Sequence, residues 1–119
     1  MDQEHPRLSV TQQGDVTVVK LADRKILDEA SIAQIGDRLQ GLVDKQPDPR
    51  MVLDFSDVGH MSSSALGMLI RLNKRVREKK GRLRLCGIQK PIYEVFVITR
   101  LNEIFDITET PDEAVRSLS

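Results

Sequence analysis

The stretch Met51–Gly67, MVLDFSDVGHMSSSALG, constrains the fold more than any other part of the chain. Met51–Phe55 is apolar but for Asp54 and too short for a helix. Flanked by Asp48-Pro49 and a polar loop, it reads as a buried strand. From Ala65 the apolar residues change to helical spacing, at Leu66, Leu69, Ile70, Leu72 and Val76. Between strand and helix stand Ser62, Ser63 and Ser64. A serine there can cap the free N–H groups of the first turn. The same N–H groups and the helix dipole favour an anion, including a covalent phosphate. The residues alone therefore leave two readings open: a helix cap and a phosphate switch.

The pattern continues on both sides. Leu8–Thr11 and Val16–Leu21 are β-prone runs around Gln13-Gly14-Asp15, which predicts a hairpin. Ile26-Leu27 is placed as a short strand piece. Asp28 is a good N-cap for a helix over Glu29–Lys45, whose inner face carries Ile32, Ile35, Leu39, Leu42 and Val43. Pro47-Asp48-Pro49 ends it. The second helix runs to about Lys80, with Gly81 expected as its stop. Arg82–Cys86 alternates as a strand with one wet face. Pro91 opens a third helix with Ile92, Val95, Phe96 and Thr99 expected inside. A strand over Glu103–Thr108 and a helix over Pro111–Leu118 close the chain. Strands interleaved with helices imply a single α/β domain on a mixed sheet, spanning 1–119 with its core at about 8–118.

Bulk properties narrow the function. At 119 residues the chain is one domain's worth, and 39% apolar with 30% charged residues fits a solvated globular surface. The formal net charge of zero and the scarcity of aromatics speak against a nucleic-acid partner. No apolar run approaches the roughly 18 residues of a membrane span, and no insertion is expected. The N-terminus lacks signal-peptide character, and Cys86 has no second cysteine, which suggests the cytoplasm.

Other chemistries find little footing. His5, His60 and Cys86 have no partner at metal-ligand spacing, so no metal is expected; Asp54 and Asp57 read more simply as a strand-end turn and a loop cap. Gly36 and Gly41 match phosphate-loop spacing, but Leu42 and Val43 stand where lysine and serine would be needed. Ser63, His60 and Asp57 are too close in one loop for a triad, and G-x-S-x-G is absent. No catalytic residue and no cofactor is expected. The second helix carries Arg71, Lys74, Arg75, Arg77, Lys79 and Lys80, read as a solvated face or as a docking surface for an acidic partner.

With these residues in place, Leu53-Asp54-Phe55-Ser56-Asp57-Val58 followed by Met61-Ser62-Ser63-Ser64-Ala65-Leu66-Gly67 resembles the signature of STAS-domain anti-sigma-factor antagonists, commonly D-S-S/T-G-L-G. The likeness extends over about Leu8–Leu118. Ser62 stands where that family has aspartate, Ala65 and Arg100 where it has glycine, and Lys25 near another such glycine. The resemblance implies a STAS-like fold and no enzymatic activity. It implies an unphosphorylated form that binds an anti-sigma factor, often itself a serine kinase, and so regulates transcription. Phosphorylation would fall on Ser63 and be reversed by a PP2C-type phosphatase. Partner contacts would involve Asp28, Ser56, Asp57, His60, Met61, Ser62 and Ser64. Two alternatives remain: an unphosphorylated STAS adaptor in a stress-signalling complex or lipid-transport ATPase, and a small-molecule or nucleotide-binding module.

Overall fold

The computed structural model describes residues 8–22, 25–26 and 28–118. Its main sheet has the order β1 (Leu8–Gln13), β2 (Val16–Leu21), β4 (Arg50–Asp54), β6 (Arg82–Cys86) and β7 (Asp106–Thr108). β1 is antiparallel to β2, and every other pairing is parallel. The hairpin turns at Gly14, whose φ of +62 is left-handed. A two-stranded ribbon, β3 (Lys25–Ile26) with β5 (His60–Met61), stands apart from this sheet. The helices are α1 (Glu29–Asp44), α2 (Ser63–Glu78), α3 (Lys90–Ile98) and α4 (Pro111–Leu118).

The β4 strand is central, as its apolar run predicts, because its residues are covered on both faces. Met51 and Leu53 point into the larger core with Ile35, Leu39, Leu69 and Leu72 of α1 and α2. Val52 points the other way, to Val18, Cys86, Ala114 and Leu118 under α4. The expected wet face of β6 is half covered by that last helix. Arg84 pairs with Asp106 at 2.8 Å and donates to Ser117 Oγ at 3.1 Å.

Four expectations need correcting. Val95 and Thr99 lie outside the buried stripe of α3, which consists of Ile92 and Phe96. Val95 is 41% exposed, and the Thr99 hydroxyl donates to the Val95 carbonyl at 2.7 Å, closing the helix end. The last strand is only Asp106–Thr108; Leu101–Glu103 form a 3-10 turn, and Ile104 is exposed. Gly81 is not the left-handed stop of α2. That residue is Lys80, with φ of 61, and the Gly81 N–H reaches Val76 O while Lys80 N–H reaches Arg77 O. This is a Schellman closure with lysine in the glycine position. Gly81 is required for space instead, since a Cβ there would sit 2.2 Å from the Pro49 carbonyl. Finally, His60–Met61 pairs as a strand where the sequence suggested only loop. Leu27, placed in a strand piece with Ile26, lies outside the described residues.

Candidate functional site

The serine segment is built at the carboxyl end of β4. Asp54 is 6% exposed and accepts hydrogen bonds from the Ser56 N–H at 3.0 Å and from the Ser56 hydroxyl. That closes an aspartate-led turn. Gly87, at φ +68, lies directly against it, and a Cβ there would be 2.5 Å from Ser56 Oγ and 2.7 Å from Asp54 Oδ1. Gln89 Nε2 donates to the Ser56 carbonyl at 3.0 Å. Lys20 faces Asp57 at 3.6 Å, an exposed pair worth little by itself. Val58 is fully buried and anchors the middle of the loop.

The β3–β5 ribbon then sets where α2 begins. Ile26 pairs with Met61, and the Ile26 carbonyl accepts from the Ser62 N–H at 3.0 Å. Because the pairing is parallel, the chain leaves both strands in one direction and both following helices start side by side. Asp28 caps α1, its carboxylate accepting from the Ser31 N–H at 2.9 Å. Ser62 caps α2, with extended backbone and its hydroxyl accepting from the Ala65 N–H at 3.3 Å.

Capping by Ser62 leaves the other two hydroxyls without that duty. Ser63 and Ser64 are both exposed, and neither side chain has a hydrogen bond among the described residues. Ser64 is the nearest of the three to the helix interior, where the first turn would be expected to begin covering its hydroxyl. It does not, because a helical side chain lies over the preceding turn and none precedes this one. The two serines face different ways. Ser64, Gly67 and Arg71 line a cleft against Glu29, Ile32 and Ala33 of α1. Ser63 is one position earlier, about 100° around the helix, on the side of Leu66 and Ile70.

The ribbon and the β4 turn bring Asp28, Ser56, Asp57, His60, Met61, Ser62, Ser63 and Ser64 to one end of the molecule. Their local duties differ. Asp28 and Ser62 are caps, Ser56 completes a turn, and Met61 is half-buried against the core. His60, Asp57, Ser63 and Ser64 are the exposed members with side chains least engaged by the fold. Gly87 and Gln89 were missed by sequence reasoning; only the glycine between a strand and the Pro91 helix hinted at a close approach.

The basic residues of α2 divide as well. Arg75 pairs with Asp44 at 2.9 Å and Glu78 at 3.5 Å; the Asp44 hydrogen bond and its charge raise the Arg75 pKa. Lys79 Nζ donates to the Val43 and Asp44 carbonyls at 3.1 and 2.9 Å, satisfying the end of α1. These two cations are structural. Against the ~300–1,000 Å³ usual for ligand pockets, the cleft between His60, Met61, Leu66 and Val95 is about 150 Å³ and the one lined by Ser64, Gly67 and Arg71 about 320 Å³. No helix among the described residues is long and apolar enough to cross a membrane.

The family model described as the STAS domain matches residues 7–114. The chain is 29% identical over 90 residues to the anti-sigma-B factor antagonist of Bacillus subtilis, covering 76% of this chain and 81% of that one. A STAS-domain protein from Planctomyces limnophilus, described as an anti-sigma-factor antagonist, superposes with a TM-score of 0.83 at 23% identity, over 94% of this chain and 97% of that chain. The Bacillus cell fate determinant SpoIIAA in its phosphorylated form superposes at 0.71 with 16% identity, over 95% and 100%. With its mixed sheet, its central β4 strand and a family match over nearly its whole length, the chain belongs to the STAS domain family.

Proposed function

We propose that the protein is an anti-sigma-factor antagonist of the cytoplasm, switched at Ser63. In its unphosphorylated form it binds an anti-sigma factor that is also a serine kinase, and so frees a sigma factor. The kinase transfers the γ-phosphoryl group of ATP to Ser63 Oγ, releasing ADP and the hydroxyl proton. A PP2C-type phosphatase hydrolyses the ester and restores binding. On this reading the protein is substrate and ligand, and carries no catalytic residue of its own. The curated relative named above supports the partner class, since its name is that of an anti-sigma-B factor antagonist.

One observation narrows the choice of residue: Ser62 caps α2, while Ser63 and Ser64 are exposed with their hydroxyls unengaged, and of these two the family motif picks Ser63. The Ser63 and Ser64 N–H groups have no acceptor among the described residues, so the helix start tolerates a phosphate. A phosphate adds about −1.5 to −2 charges at pH 7. Asp28 and Glu29 stand beside this helix start at the beginning of α1, while Asp57 is paired with Lys20. The switch therefore acts by repulsion and desolvation at the interface, without refolding. Binding of the anti-sigma factor to Ser63→Ala and Ser63→Asp variants tests the reading. The alanine chain should bind as wild type and the aspartate chain at least about tenfold more weakly, ~1.4 kcal/mol. Equal binding of both would favour a passive adaptor.

A further inference from the structure

Exposed isoleucines lie on α2 and on the segment from α3 to the 3-10 turn. Ile70, Ile98 and Ile104 are 41%, 80% and 43% exposed. Ile70 and Ile104 line one cleft with Lys74 and Arg77. A second cleft lies nearer the serine loop, where Leu66 faces Pro91 and Val95 beside Met61. Leu66 and Ile70 are four apart on α2, and Val95 and Ile98 three apart on α3, so each pair shares a flank. The two clefts therefore follow one another along the same flank of α2, and together they are treated as a groove. From Leu66 to Arg77 it runs about 16 Å, roughly three turns of a docked helix at 1.5 Å per residue.

The charge along the groove is one-sided. Lys74 and Arg77 have no carboxylate partner among the described residues, and the Arg77 guanidinium reaches only the Ile104 carbonyl, at 3.4 Å. Glu78 at the same end is taken by Arg75. An apolar floor with unpaired cations at one rim complements an aliphatic stripe flanked by carboxylates. Ser63 lies seven residues before Ile70, two turns up the same stripe, so the groove opens onto the switch.

We propose that the groove between α2 and α3 docks an acidic amphipathic helix of the binding partner, with its aliphatic side chains on Ile70, Ile98 and Ile104 and its carboxylates against Lys74 and Arg77. The partner's identity as an anti-sigma factor rests on the function proposed above; the groove itself does not depend on phosphorylation. A phosphate on Ser63 then stands at the head of the groove, where it repels the carboxylates of the bound helix.

The test uses two synthetic peptides of about sixteen residues, one with leucines at helical spacing among glutamates, the other with lysine for every glutamate. Each is titrated into the ¹⁵N-labelled protein. The acidic peptide should shift the amides of Ile70, Lys74, Arg77, Ile98 and Ile104, and bind Ile70→Asp at least about tenfold more weakly. Lys74→Glu with Arg77→Glu should reverse the preference toward the basic peptide. No shifts, shifts elsewhere, or equal shifts from both peptides would overturn the proposal. The anti-sigma factor separates this claim from the switch. Full binding by Ile70→Asp with loss in Ser63→Asp sinks the groove and leaves the switch. Binding lost in Ile70→Asp but kept in Ser63→Asp does the reverse.

Discussion

Three adjacent serines have three environments, and that difference decides what each can do. Ser62→Ala removes the cap of α2 and should cost about 1 kcal/mol in urea unfolding. Ser63→Ala and Ser64→Ala, which lose no hydrogen bond, should stay within about 0.5 kcal/mol of wild type. The capping role was legible, because a hydroxyl before a helical pattern has few other uses. The outward aim of Ser64 was not, since it depends on there being no earlier turn. Gly87 was hidden for a different reason: its partner, the Asp54–Ser56 turn, lies on another strand. Gly87→Ala must hold a side chain at positive φ and push against that turn, and should cost about 2–4 kcal/mol by thermal or urea unfolding. Cys86 is the opposite kind of residue. It is fully buried, and burial, with the Asp54 charge adding to it, pushes its pKa up to about 12. Its thiol should resist iodoacetamide at pH 8 in the native protein and react readily in denaturant. Prompt native labelling would contradict the packing described for β6.

Elements with a long periodic pattern were easy to read, and those fixed by tertiary contact were not. The α1 and α2 spacings, the β4 run and the hairpin all announce themselves locally. The β5 strand has two residues and exists only because β3 runs beside it. The last strand is expected to begin as early as Glu103 because Ile104, Phe105 and Ile107 mimic a β pattern, yet Glu103 ends the 3-10 turn and Ile104 faces solvent. At the end of α2 the chain accepts left-handed strain at Lys80 to complete the closure with Val76 and Arg77. Lys80→Gly relieves roughly 1–2 kcal/mol of strain against about 0.4–1 kcal/mol of extra unfolded-state entropy. It should raise stability by about 0.5–1 kcal/mol, measured as a higher urea midpoint at constant slope. A loss of stability would show that the Lys80 side chain carries a compensating contact.

For the whole molecule, the parallel strands of the mixed sheet and the β3–β5 ribbon place the β4 turn and the starts of α1 and α2 at one end. That gathers the candidate partner residues around Ser63, while Arg75 and Lys79 are spent tying α1 to α2. The α2–α3 groove continues the same surface, so the loop and the groove form one face with a serine at their junction. The family motif in the sequence pointed to that face; its apolar extension emerged only once Val95 and Ile104 were seen to be exposed. The central claim is that Ser63 is the residue on which this face is switched. Mass-spectrometric site mapping after incubation with the anti-sigma kinase and ATP measures it directly. Phosphate should be found on Ser63, with none on Ser62, and the Ser63→Ala chain should remain unmodified while still binding the kinase. Phosphate confined to Ser62 or Ser64, or no phosphate on a chain that binds, would contradict the account.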